Sequence, residues 1–284
     1  KYSGDDLYLS IDADLQKAIY LALQNEIAAI VYSNIKSGEI PINDVYTALI
    51  GNSVINTEHF SKAKASDTEK NVLSVFKSRQ KTTLGKIKQE LTSSPEALNT
   101  MSDEVLDEFT YIISMLKDDQ VLLKNEIDTS DSVYQKWKNQ KISPKEYLSY
   151  CITQHWIDIS QLNVDEKYAD STEVYDALCK YILKNIKTDT EFSKIIYQYM
   201  ITRGEISPRQ LCLILFDQGV LDYDDATVNK LKNGSLSPRD FLMKKIYNIE
   251  ITPAQLALEP CTGSCVVTDE KTGEHTGIKI TMFD

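Results

Sequence analysis

The chain changes its hydrophobic period twice. Residues 6–11, "DLYLSI", alternate apolar and polar positions, as a half-buried strand does. From Leu15 the spacing becomes helical: Leu15, Ile19, Leu21, Leu23, Ile27, Ile30 and Val31 supply an apolar face. Asp12 is placed to cap this helix and Gly38 to stop it. Further helical patterns cover 67–79, 84–91, 102–127, 172–187 and 191–203. Alternation returns only near the end, at 264–269 and 277–282, with "DEKTGE" between them supplying polar turn residues and a glycine. The pattern predicts a mainly α protein, an irregular multi-helix array. It also predicts a small three-stranded antiparallel sheet formed by the two chain ends, residues 7–11 beside the terminal hairpin.

A repeat runs through the helical part. "EIPINDV", "KISPKEY", "EISPRQL" and "SLSPRDF" each carry Ile or Leu, a cap position, an acid or amide three residues later and then an apolar residue. In the last three copies the cap is Ser143, Ser207 or Ser237, with proline at the first helical position and Glu146, Gln210 or Asp240 at the third. The pairs Ile142/Tyr147, Ile206/Leu211 and Leu236/Phe241 fall where a hydrophobic staple would sit. The first copy has Pro41 at the cap and is degenerate. Fifteen residues after each leading apolar residue stands another, Ile55, Ile157, Leu221 or Ile251, followed by Asn56, Asp158, Asp222 or Thr252 as a second cap. Each unit therefore reads as a short helix, a tight corner and a second helix start. The constant offset favours internal duplication, with helix pairs packed side by side.

With 284 residues the chain is long enough for a substantial core, and 42% hydrophobic with 26% charged residues is the balance of a soluble globular protein. The net charge of −11 argues against nucleic acid and anionic membranes as partners. No apolar run reaches the roughly 20 residues of a membrane span. A start at Lys1 rather than Met suggests a piece of something longer. Of five cysteines, Cys151, Cys179 and Cys212 sit on apolar helical backgrounds and read as buried hydrophobes. Cys261 and Cys265 could pair or bind metal, but no second Cys/His pair is near, and His59, His155 and His275 have no ligand spacing. No metal or cofactor is expected.

Catalytic candidates are few. Ser-x-x-Lys, which sets a base one helical turn from a nucleophilic serine, occurs at Ser33/Lys36, Ser61/Lys64, Ser74/Lys77, Ser78/Lys81 and Ser114/Lys117. No Ser-x-Asn follows any of them, so each reads as a solvated helix face. Lys271-Thr272-Gly273 matches another signature of serine acyltransferases, but between two strand patterns it reads as a hairpin turn. The aspartates of "LDYDDAT" fail a calcium loop, which would need Gly where Thr227 stands and Glu where Asn233 stands; they read as charges at a helix start. No catalytic, cofactor or metal residue is assigned.

The two ends together resemble a family. "LYLSIDADLQKAIYLAL" (7–23) looks like the strand and helix that open the transpeptidase domain of class B penicillin-binding proteins, with Leu9, Ser10, Ile11, Asp12, Leu15 and Gln16 matching. "GSCVVTDEKTGE" (263–274) looks like that family's next element, with Gly263, Val266, Val267, Asp269, Thr272, Gly273 and Glu274 matching. The resemblance implies that the Asp-x-x-Thr-Gly-Glu hairpin is scaffold, so Lys271 is not a catalytic lysine. It also implies that 1–31 plus 261–284 begin a transpeptidase-like domain and that 32–260 form a helical insertion domain. The sequence departs from the family after Glu274, where "HTGIKITMFD" replaces the usual small residues, proline and Tyr-Asp.

On this resemblance the parent would be an extracytoplasmic, membrane-anchored serine D,D-transpeptidase that cross-links peptidoglycan. This chain would be its non-catalytic segment, reaching the membrane only through an N-terminal anchor outside it. The helical insert would act in positioning or in binding cell-wall synthesis proteins or the rest of the parent chain. The alternative is a free-standing helical interaction scaffold unrelated to wall chemistry.

Overall fold

The structure, a computed structural model, describes residues 13–93, 96–165, 167–258, 264–268 and 275–281. Among these, helices dominate: α1 (Ala13–Ser37), α2 (Ile42–Gly51), α3 (Asp67–Thr92), α4 (Asp103–Asp118), α5 (Ser132–Lys138), α6 (Pro144–Thr153), α7 (Ser171–Ile186), α8 (Thr190–Thr202), α9 (Pro208–Asp217), α10 (Asp225–Asn233) and α11 (Pro238–Tyr247). The strands are β1 (Ser264–Thr268) and β2 (His275–Thr281).

The helical expectation holds, but the three-stranded sheet does not. Among the described residues β1 pairs antiparallel with β2 alone, Ser264 opposite Thr281 and Cys265 opposite Ile280. Residues 7–11, the expected third strand, lie outside the described residues, as does the cap residue Asp12. A two-stranded hairpin is marginal by itself in water, and β1 lies against α1.

Two helix boundaries also differ. The patterns at 67–79 and 84–91 belong to one helix, α3, because no proline or cap separates them and Thr83 is buried within it. The helix expected over 102–127 ends at Asp118. There Gln120 turns left-handed (φ 59°) and the Leu122 N–H returns to the Leu116 carbonyl at 2.8 Å.

That stop is the key to the repeat. Two residues before each leading apolar residue, and two before its partner fifteen residues on, the backbone has positive φ. The positions are Gly38 and Ser53, Gln140 and His155, Gly204 and Gly219, and Gly234 and Ile249. Each left-handed residue ends a helix and folds the chain back so that the next N–H groups reach its last carbonyls. The Ile55, Leu221, Leu236 and Ile251 N–H groups each return to a carbonyl six residues earlier. The same turn swings an apolar side chain under the helix just ended, and Ile55, Ile157, Leu221 and Ile251 are all buried. Fully burying such a side chain contributes about 1.5–3 kcal/mol.

The helix starts follow the sequence. Ser143, Ser207 and Ser237 accept from the N–H groups of Glu146, Gln210 and Asp240, each with proline opening the helix. At Ser207 the box is complete, because Gln210 also accepts from the Ser207 N–H at 2.9 Å. Pro41 caps α2 without a side-chain bond. Asn56, Asp158 and Thr252 accept from backbone two or three residues on. Asp222 does not take the cap role expected of it; Asp224 caps α10 instead.

Contacts divide the chain into two units. Unit 1 is Lys1–Thr68 with Ile206–Asp284, and unit 2 is Glu69–Glu205. In unit 1, α9 packs against α2, α10 and α11, and α11 packs along α1. The Gln218 side chain brackets one residue of the first repeat, accepting from the Asn56 N–H at 2.9 Å and donating to the Asn56 carbonyl at 3.0 Å. In unit 2, α4 packs on α7 and α8, and α6 on α5 and α7. These units differ from the expected division at residues 31 and 261, which rests on the family resemblance.

Candidate functional site

The Ser-x-x-Lys pairs fall on α1, α3, α4 and the turn Thr57–Ser61. All five serines are exposed, and among the described residues none bonds to its lysine. The Ser61 hydroxyl donates to the Glu58 carbonyl at 2.9 Å. A nucleophile open to water lacks the dry, preorganised surroundings that acyl transfer needs. Residues 269–274, with Lys271-Thr272-Gly273, lie outside the described residues, as does Cys261; Cys265 is placed in β1 by its backbone.

The remaining cysteines are inert. Cys151, Cys179 and Cys212 are buried and free. Burial pushes the Cys151 thiol up to about 12 and Cys179 to about 11, and raises Cys212 as well. Such thiols carry no thiolate to attack or bind metal. Among the described residues no His/Cys/Asp/Glu group could hold an ion, and no helix is long and apolar enough to cross a membrane. The aspartates at 222–225 behave as helix-start charges: Asp224 accepts from the Ala226 N–H and the Thr227 hydroxyl, which lowers its carboxyl.

A polar cluster that the sequence did not disclose is buried in unit 2. Glu104, in the first turn of α4, accepts from Arg79 of α3 at 2.8 and 2.9 Å and pairs with Arg203, the cap after α8, at 2.6 Å. Arg79 also reaches Glu205 at 3.5 Å. Arg203 stacks over the Tyr199 ring at 5.8 Å, and the Tyr199 hydroxyl donates to Asp107 at 2.6 Å. One turn on, Glu108 is only 2% exposed. Burial first, and the Glu104 charge next, push its carboxyl up to about 8 against the pull of Arg79 and Lys86. A raised carboxyl can mark a general acid, but no groove opens on it among those described here, so the cluster reads as a tie between three helices. One sequence signal existed: Glu104 and Glu108 stand four apart on the same helical period as Ile112, where apolar residues belong.

Two concavities open on unit 2. One, of about 830 Å³, runs along α7 and is lined by the acids Asp165, Glu173 and Asp176 and by the bases Lys180 and Lys184. The other, of about 380 Å³, lies between α4 and α5, with Leu98, Ile113, Tyr134 and Trp137 on its walls and Lys117 and Lys138 beside them. Trp137 is held by stacking on buried Tyr147, ring centroids 4.5 Å apart and planes 6° from parallel. Neither gathers a nucleophile, base and oxyanion donor at one point. In unit 1 a third concavity lies between α1 and α11. No family model, curated protein or solved structure matches the chain.

Proposed function

We propose that the chain is a non-catalytic positioning module of a class B penicillin-binding protein, its helical body serving protein interaction in peptidoglycan synthesis. The observation that carries this reading is the ordered pair of flanking motifs, 7–23 and 263–274, on either side of a helical body without acyl-transfer machinery. Two features agree with it. The strands β1 and β2 pair on either side of 269–274, as a scaffold hairpin requires. The helical body is built of duplicated helix–corner units, an architecture that offers extended surfaces more readily than a single deep pocket.

Two labelling experiments with a fluorescent penicillin test the two halves of this reading. The purified chain is expected to form no covalent adduct; an adduct on Ser33, Ser61, Ser74, Ser78 or Ser114 would refute the non-catalytic assignment. The protein that carries this sequence in its own cells, isolated with an antibody against 69–205, is expected to label. If that protein fails to label, the free-standing helical scaffold is the correct reading.

A further inference from the structure

The concavity between α1 and α11 in unit 1 combines aromatic walls with three cationic side chains. It measures about 530 Å³ and runs between the C-terminal part of α1 and the outer face of α11. Tyr32 and Tyr247 form one wall, their rings edge to face at 5.3 Å, and buried Met243 lies beside them. Lys36, Arg239 and Lys244 bring three positive charges to this space in a chain of net charge −11. One acid lines the same space, Asp240, which accepts from the Ser237 hydroxyl at 2.7 Å, and the three cations outnumber it. Arg239 is fixed by donating to the Ile35 carbonyl at 3.1 Å. Among the described residues neither Lys36 nor Lys244 makes an ion pair, and both are exposed.

A further exposed apolar side chain stands on α1 beyond the groove. Leu21 is 46% exposed, and it stands eleven residues, close to three full turns, before Tyr32, so the two share one helix face. An apolar anchor point therefore lies about 16 Å along the helix from the cationic groove. Apolar anchors in line with unpaired cations and exposed tyrosine suit a ligand that alternates carboxylates with apolar side chains. A bilayer fits less well, because the cations line a concave space and the whole chain repels an anionic surface. Nucleic acid is excluded on the same charge.

We propose that the α1–α11 groove docks an acidic peptide segment of a partner protein, with carboxylates on Lys36, Arg239 and Lys244 and an apolar side chain against Tyr32 and Tyr247. This rests on reading the helical body as an interaction module, though not on its kinship to wall enzymes.

The test uses the purified chain and an array of fluorescein-labelled peptides, each about a dozen residues long, in which Asp and Glu alternate with Leu, Phe and Tyr. Members of the array should bind saturably, and binding should weaken as salt rises from about 50 mM to about 500 mM. The same peptides with Lys in place of the acids should not bind. The double variant Lys36→Glu with Lys244→Glu should lose roughly ten-fold in affinity at unchanged circular dichroism, because both side chains are exposed. Tyr247→Ala should lose affinity without changing the salt slope. Absence of saturable binding across the array, or equal affinity in the charge-reversed variant, would overturn the proposal. Preferential binding to vesicles of phosphatidylglycerol and phosphatidylcholine would overturn it in favour of a lipid surface. None of these outcomes bears on penicillin labelling, so failure here and failure of the family reading remain separable.

Discussion

Unit 1 and unit 2 solve the same problem with different chemistry. Both are helix arrays with short connections, and both stop their helices with left-handed residues. Unit 1 ties distant segments largely by side chains set on backbone groups, the Gln218 bracket on Asn56 and the Arg239 bond to the Ile35 carbonyl, together with the returning N–H groups of the repeat and the Ser66 hydroxyl on Asp217. Unit 2 ties its helices through side-chain charge. Tyr111, Tyr150, Tyr181 and Tyr199 each donate a phenol hydrogen bond to an aspartate, and Glu104 joins Arg79 to Arg203. Ties onto backbone acceptors carry no carboxylate to titrate, whereas the buried carboxyls of unit 2, Glu104 and Glu108, are sensitive to both the loss of a partner and a change of protonation. The lesson is that one repeat architecture can carry two electrostatic regimes, and the regimes separate experimentally because both tryptophans, Trp137 and Trp156, lie in unit 2.

The largest expected effect comes from breaking the buried cluster. Arg79→Ala leaves Glu104, 4% exposed, with one guanidinium instead of two. Removing one partner of a buried pair costs about 3 kcal/mol or more. Urea unfolding followed by tryptophan fluorescence should report that loss. Amide exchange in α9 and α11 of unit 1 should stay slow under native conditions. A loss below about 1 kcal/mol would mean that the cluster is solvated and contributes as a surface pair.

A smaller effect separates the units by pH. Glu108 is held up to about 8 in the folded state. A carboxyl raised on folding binds its proton more tightly there than when unfolded. Its contribution is therefore fully present at low pH, below the ordinary glutamate range, and is lost as pH rises toward 8. Unit 2 should weaken progressively over that window, by at most about 1.4 kcal/mol for each pH unit. Glu108→Gln, which keeps the shape and removes the proton, should flatten the slope and stabilise unit 2 at pH 8. A slope unchanged by this substitution would assign the pH dependence to another group.

Local features were legible in the sequence and distant ones were not. Ser143, Ser207 and Ser237 were readable because a cap is decided within four residues, and the structure bears out all three. The fifteen-residue offset was readable because it marks where a buried side chain recurs. The stops were only half readable: Gly38, Gly204, Gly219 and Gly234 announce a left-handed turn, but Ser53, Gln120, Gln140, His155 and Ile249 do not. Gln120 is the case in point, because a helical period running on to 127 hid a turn forced by the burial of Val121 and Leu122. The three-stranded sheet is a different case: among the described residues β1 pairs with β2 alone, and residues 7–11 lie outside them. Alternation shows only that a segment can pair, not which partner it takes. The cluster was hidden because Arg79 and Arg203 are far apart in the chain and meet only when α3, α4 and α8 pack. The α1–α11 groove was hidden likewise, since Lys36 and Lys244 read as ordinary solvated charges.

The smallest effect sharpens the comparison from unit 1. Ile249 occupies the repeat's last stop at φ 58°, where the equivalent positions in the third unit are glycines. A β-branched residue there is an outlier, because its Cβ crowds the following carbonyl. The turn is nevertheless held by the Ile249 N–H to the Ile246 carbonyl and the Ile251 N–H to the Lys245 carbonyl, with Ile251 buried beneath. Strain of this kind persists only where the surroundings over-determine the conformation. Ile249→Gly should relieve about 1 kcal/mol of left-handed strain and give part of it back through the greater freedom of the unfolded chain. The expected outcome is a net stabilisation of about 0.5 kcal/mol, read as slower amide exchange in α11, with tryptophan-monitored unfolding of unit 2 unmoved. Faster exchange in α11 would mean that the partly buried Ile249 side chain contributes more by packing than its backbone loses by strain.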